Sequence, residues 1–334
     1  MNALAGSSAA SPGRPARPEA GLGQLLTAWL CRPVKVEHVR RGASPFALRV
    51  PAEVLTVELD SGQICQLFLK SLGDEDHDHP DKQCRDRELQ VYRHLFAGRR
   101  LPVPGWVGGG WNDTTGRHDL YLEYVDGWDL RFHGFDYWNL AAGRLGALQR
   151  TFARRRDALR RHRFLLRLDA AYFQAWAQRA LESLRQQSTA LARRYEPVAA
   201  AAGDWAEPLA AQPPTLVHND LSGKNVLVDR STHPARVCIV DWDLAGVGCG
   251  LLDLVHLSYG LDAAAAARLR GCYYRAVGGG DLLPGNRRAL AAVLAACVIH
   301  ETNVRLWCSR RWWLPDGRLD EWVDDTRAAL GRIV

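Results

Sequence analysis

Nothing in this chain restricts its fold as much as residues 216–241. They read Leu-Val-His-Asn-Asp-Leu-Ser-Gly-Lys-Asn-Val-Leu-Val-Asp, turn over residues 230–234, and return as Arg-Val-Cys-Ile-Val-Asp, with Trp-Asp following at 242–243. Two short β-branched runs, 226–228 and 237–240, flank polar turn residues, a pattern that predicts an antiparallel hairpin. His218 and Asp220 precede the first run, Asn225 opens it, and Asp241 ends the second. Three oxygen donors thus converge from the two sides of one hairpin.

That donor set suits phosphoryl transfer. The reaction asks a protein to align an acceptor hydroxyl, hold magnesium and neutralise phosphate charge, with little covalent help. Asp220 is the candidate to accept or orient the acceptor's proton, and Asn225 and Asp241 offer the oxygen ligands a hard cation prefers. His218 alone would read as a core histidine and Asp220 alone as a helix cap; the combination carries the argument.

Upstream, residues 54–59 and 64–70 alternate apolar and polar around Asp60-Ser-Gly62, a second hairpin signal. Further strands are expected at 35–40, 46–50, 103–107 and 119–125, the last two separated by a Gly- and Trp-rich turn. A short helix is expected at 25–31. Lys70 ends a strand, and Glu88 follows on an amphipathic stretch, 82–95, read as one helix. A strand lysine paired with a glutamate of the next helix is how a kinase holds the α- and β-phosphates. Ser44, in the turn Arg-Gly-Ala-Ser-Pro at 41–45, lies where a loop would cover phosphates. After 120–125 the Asp126-Gly127 pair breaks the strand, which suggests a hinge whose backbone from Glu123 to Val125 would hydrogen-bond an adenine. The loop at 73–80, rich in Asp and His, reads as a solvated connector.

Helical patterns dominate the rest, at 137–201, 263–277, 287–307 and 319–333. Within the first, residues 150–167 form an Arg-rich stretch, read as a basic amphipathic helix that is either a solvated face set by coding bias or a surface for an acidic leader peptide; nucleic acid is a weaker reading. Asp253 is expected to brace the loop around Asp220 from below. Trp307, Trp312, Trp313 and Trp322 are expected to pack near the last two helices, and Asp320, Glu321, Asp324 and Asp325 form a candidate cation site.

Composition adds boundaries. With 334 residues, 47% hydrophobic and 24% charged, the chain can bury a large core and is expected to form two lobes. Four lysines (Lys35, Lys70, Lys82, Lys224) among 43 basic residues reflect coding bias, which weakens any argument from arginine richness. The eight cysteines lack metal-site spacing and read as reduced core side chains. No run of eighteen apolar residues and no cleavable leader pattern is seen, so a cytoplasmic protein without membrane contact is expected. Residues 1–20, rich in Ala, Ser, Pro and Gly, read as a disordered tail.

The run 217–228, with Ile-Val-Asp-Trp at 239–242, resembles the aminoglycoside phosphotransferase and choline kinase superfamily, over roughly residues 34–256. The resemblance implies an α+β, two-lobed, protein-kinase-like fold: an N-terminal antiparallel sheet plus helix over 21–125 and a larger, mainly helical C-terminal lobe over 126–334. It implies ATP or GTP as donor and Mg2+. The expected acceptor is a small-molecule hydroxyl of antibiotic, amino-alcohol or sugar type, with a Ser/Thr peptide kinase of a natural-product pathway and a non-catalytic nucleotide-binding scaffold as alternatives. By the same resemblance Asp220 is catalytic, His218 supports its loop, Asn225 and Asp241 bind metal, and Lys70 binds phosphate with Glu88 as its partner. Lys224 is left between phosphate, acceptor and a neighbouring carboxylate.

Overall fold

The computed structural model describes residues 21–44, 50–73, 79–278 and 282–333. The expected tail, all but the last residue of the strand at 46–50, and the acidic centre of the loop at 73–80 lie outside the described residues. Two compact units divide the chain. One takes residues up to 78, Tyr92–Arg99 and Pro104–Tyr124; the other takes His79–Val91, Arg100–Val103 and everything from Val125 onward.

The first unit is an antiparallel sheet with one α-helix, α1 (Leu22–Leu30), and a π-helical turn, Tyr92–Phe96. Its strands β1 (Val36–Ala43), β2 (Ala52–Leu59), β3 (Ile64–Leu72), β4 (Trp106–Asn112) and β5 (Arg117–Glu123) lie in the order β1-β2-β3-β5-β4. Period-two alternation puts Leu55, Val57 and Leu59 of β2 and Leu67 and Leu69 of β3 into one core with Leu22 and Leu26 of α1. The β4 position corrects the expected strand at 103–107. Gly108 to Gly110 pair with Tyr121, Leu120 and Asp119, so the Gly-rich run is strand rather than turn. Pro102 serves the second unit, its carbonyl accepting the Ile239 amide at 2.7 Å.

In the second unit α2 covers only Arg87–Val91; the turn that follows it, Tyr92–Phe96, widens to a π-helix and belongs to the first unit. The single helix expected over 82–95 is therefore corrected. Residues ahead of Arg87 are held as turns, since its guanidinium donates to the carbonyls of Asp81 and Phe164, both at 2.7 Å, and of Asp243. Lys82 pairs with Asp243 at 2.6 Å.

After β6 (Trp128–Asp129), helix α3 (Phe135–Ala153) runs into a corrected segment. Residues 150–167 are not one basic helix. Helix α3 stops at Ala153, α4 (Arg156–Leu159) is one turn, and β7 (Leu166–Arg167) pairs in parallel with β11 (Gly246–Cys249). Leu159, Leu165 and Leu168 are buried anchors at a spacing no helical stripe has, and strand pairing outcompetes local helix propensity. The arginines between them are exposed.

The helices α5 (Ala170–Gln187), α6 (Thr189–Ala200) and α7 (Ala202–Ala210) follow, then β8 (Pro214–Val217). The hairpin is β9 (Val226–Asp229) and β10 (Arg236–Ile239), antiparallel with Val228 opposite Val237. It is followed by β11, α8 (Leu251–Leu257), α9 (Ala263–Val277), α10 (Arg287–Cys308) and α11 (Arg318–Leu330). Side-chain caps start several helices: Asp169 on the Tyr172 amide, Ser188 on Leu191, Asp262 on Ala265, Asn286 on Ala289. Trp176, Trp205 and Trp242 are fully buried. Among the described residues one helical stretch, Arg287–Arg311, is long and apolar enough to cross a bilayer, and more than half of it is buried within the protein.

Candidate active site

The loop between β8 and β9 carries His218, Asn219 and Asp220, and its shape is imposed from beneath. Asp253, on α8 and fully buried, accepts the His218 amide on Oδ2 at 2.8 Å and the Asn219 amide on Oδ1 at 2.9 Å. The bracing expected of Asp253 is present. Burial raises the Asp253 carboxyl, although His218, its amide and that of Asn219 favour the ionised form. Asn219 takes a left-handed backbone, φ 66°, which Asn tolerates better than most residues. Its side chain donates to the Tyr172 hydroxyl at 3.0 Å, and that hydroxyl donates to Asp81 at 2.8 Å.

His218 is fully buried; its Nε2 donates to the Val240 carbonyl at 2.8 Å and its Nδ1 accepts the Asp220 amide at 3.3 Å. The ring ties the loop to the strand that leads into Asp241. Trp242 stacks on it obliquely, ring centres 4.7 Å apart, and the Trp242 amide donates to Glu88 Oε1 at 3.2 Å. Glu88 thus braces the turn after Asp241.

Asp220 sits among donors. Asn225 Nδ2 donates to its carbonyl at 2.8 Å and to Oδ2 at 3.1 Å. Lys224 Nζ approaches Oδ2 at 3.2 Å, and His256 Nε2 lies 3.6 Å from Oδ1. Burial works to raise the Asp220 pKa, but His256, Lys224 and His218 more than offset it, so the carboxyl stays below its ordinary range. Of the alternatives for Lys224, the observed partner is the neighbouring carboxylate.

Because the Asn225 amide nitrogen donates to Asp220, its carboxamide oxygen is the atom with capacity for a cation. Asp241 has φ 69°, a left-handed backbone costly for a non-glycine residue and concentrated at functional sites. The two oxygen donors fit a magnesium ion that keeps water or phosphate as its other ligands. Among the described residues no group of three or more His, Cys, Asp or Glu side chains is gathered to hold a metal ion.

The nucleotide-side candidates lie as follows. Lys70, on β3, is half-buried and stands between Ala52 and Leu120 of the flanking strands. Ser44 is buried just past β1, its amide donating to Ala52 at 3.0 Å. The amides of Glu123 and Tyr124 are committed, to Gly105 at 2.9 Å and to Gln66 at 3.3 Å, and the Glu123 carboxylate accepts the Gly105 amide at 2.9 Å. Neither amide is a spare donor for a base. Val125 is buried.

The C-terminal acidic residues are not a free cation site. Arg194 binds Asp320 and Asp324, the latter at 2.6 Å, and Arg318 binds Glu321 at 2.8 Å. Nearby, Tyr259, Trp312, Trp322, Arg305, Arg318 and Asp325 line a cavity of about 600 Å³. Trp322 donates to the Tyr259 hydroxyl at 2.9 Å, whereas Trp313 is exposed.

His256 and its partner Glu301 were not singled out from the sequence. The signal was there: His256 is three residues after Asp253, so a helix places both on the face turned to the Asp220 loop.

A model of the phosphotransferase enzyme family matches residues 42–293. No curated protein matches. Among solved structures, the chain is similar to the GDP complex of a mutant aminoglycoside 2'-phosphotransferase-IIIa, at 13% identity and TM-score 0.54 over 92% of this chain and 95% of that one. It is similar to a choline/ethanolamine kinase family protein from Mesorhizobium loti, at 20% identity and TM-score 0.51 over 82% and 85%. A macrolide 2'-phosphotransferase type I matches at 17% identity and TM-score 0.51 over 95% and 98%. At these identities the likeness is one of fold, that of the kinase-like phosphotransferases.

Proposed function

The chain belongs to the phosphotransferase enzyme family, and we propose that it moves the γ-phosphoryl group of ATP to a hydroxyl of a small-molecule acceptor. The observation that carries this reading is the Asp220 carboxylate, held by Asn225 and Lys224 on one oxygen, in a loop that Asp253 and His218 keep in shape. Asp220 orients the acceptor hydroxyl and takes its proton, so that the oxygen attacks with its lone pair aligned. His218 keeps the loop in register with Asp241.

Asn225 and Asp241 would hold Mg2+, which would neutralise charge on the phosphates. Lys70 contacts phosphate, Ser44 lies at the phosphate cover, and, with the Glu123 and Tyr124 amides committed, the backbone of Val125 receives the base. GTP is the alternative donor, and the GDP complex of the aminoglycoside enzyme gives it weight. A cytoplasmic location, where such nucleotides are abundant, is part of the proposal.

The acceptor is a small-molecule alcohol of antibiotic, amino-alcohol or sugar type, and the C-terminal acids are not the place where a polycationic one would bind. A polycation would need unshared carboxylates, and three of the four C-terminal acids are bound to arginines. The leader-peptide alternative loses its basis, because the Arg-rich segment is not the helix it required. The test is ATP consumption, repeated with GTP, over aminoglycosides, macrolides, amino alcohols, sugars and Ser/Thr peptides. A hydroxyl acceptor with a mass gain of one phosphoryl group is expected. Nucleotide binding with no turnover on any acceptor would favour a non-catalytic scaffold instead.

A further inference from the structure

The two oxygens of Asp220 are held differently. Oδ2 receives Asn225 and Lys224 within 3.2 Å, whereas Oδ1 faces His256 Nε2 at 3.6 Å, just beyond hydrogen-bond range. Oδ1 is therefore the oxygen with capacity for an acceptor hydroxyl. His256 is itself fixed from behind: its Nδ1 meets Glu301 Oε2 at 3.1 Å, and Glu301 Oε1 receives Arg305 at 2.6 Å. Arg305 lies over the Tyr259 ring, 3.4 Å from its centre. All three side chains are largely buried, His256 and Glu301 at 13% exposure and Arg305 at 17%. Burying ionisable groups is costly, and the Glu301 pairing offsets that cost by holding the imidazole in one orientation, towards Asp220.

We infer that His256, oriented by Glu301, is a positioning residue for Asp220. It sets the direction in which Oδ1 presents to the acceptor hydroxyl, and Arg305 links that setting to the aromatic cavity. The inference rests on the phosphotransferase reading above. Its ground is a relay across three elements, namely the loop before β9, helix α8 and helix α10. Asp253, also on α8, and His300, on α10, are the further titratable groups that feel the charge of His256.

Three variants separate positioning from structural support. His256→Ala should lower kcat on the order of 10- to 100-fold while the nucleotide KM stays within about twofold. His256→Gln, whose carboxamide can still bridge Glu301 and Asp220, should recover part of the loss. Glu301→Ala, which removes no contact to Asp220, should show the same kcat defect, and the double variant should be no worse than His256→Ala alone. Unchanged kcat in His256→Ala, or losses that simply add, would overturn the inference.

A second measurement needs no acceptor. In nitrogen-15 spectra of labelled histidine, Asp220→Asn should shift the His256 Nε2 resonance and Glu301→Gln the Nδ1 resonance. An Nε2 resonance indifferent to Asp220 overturns the inference even if the enzyme transfers phosphate. Absence of turnover with the Nε2 shift present would count against the phosphotransferase reading instead, leaving the His256–Asp220 coupling standing.

Discussion

Asp253 holds His218 by its backbone: the buried carboxylate accepts the His218 amide at 2.8 Å and, with its other oxygen, the next amide at 2.9 Å. Gln149 completes the set, donating to Oδ2 at 2.9 Å. Replacing Asp253 by Ala leaves three buried donors without this acceptor. Unfolding in urea should show a loss of about 2–4 kcal/mol. A change below about 0.5 kcal/mol would mean that the loop is held by something else.

Gly127 marks the closest approach to the hairpin. A Cβ there would lie 2.2 Å from the Val228 carbonyl oxygen, and its three nearest neighbours are all backbone. Gly127→Ala should therefore destabilise by about 1–3 kcal/mol and broaden the Val228 amide signal. Wild-type stability in that variant would show that β6 and β9 separate at little cost.

Stability should fall on the acid side in a way traceable to one ring. Burial, reinforced by the charge of His256, pushes the His300 imidazole down to about 3. The unfolded chain binds that proton below about pH 6.5 while the folded protein does not, so stability is lost as pH falls through this window. The slope due to this group is up to about 1.4 kcal/mol per pH unit. His300→Leu should flatten the curve between about pH 4 and 6. Parallel curves for the two proteins would exclude His300 as the source.

Metal dependence should report on the strained end of the hairpin. Asp241→Asn keeps size and left-handed tolerance but removes the charge. It should raise the Mg2+ concentration for half-maximal turnover by about tenfold or more. An unaltered Mg2+ requirement would remove Asp241 from the metal site.

Much of this was readable in advance where local chemistry and tertiary structure agree. The hairpin over 226–239, the β2–β3 pair and the Asp253 brace all rest on short-range signals: β-branched runs, turn residues and helical spacing. The failures share a cause. Residues 82–86 and 150–167 have helical composition, but Arg87 gathering distant carbonyls and β7 pairing with β11 are non-local choices that no window of sequence contains. Gly108 to Gly110 read as a turn because glycine is a poor strand former, yet pairing with β5 decides the matter. His256 and Glu301 were overlooked because their meaning depends on a loop more than thirty residues away in sequence, and on one another across two helices.

The central claim, that Asp220 is the group through which the acceptor hydroxyl reacts, is tested most directly by Asp220→Ala with the acceptor from the screen. Phosphorylated product should fall by about a thousandfold or more while calorimetric nucleotide affinity stays within a few-fold of wild type. Turnover retained within about tenfold, with the fold intact, would contradict it.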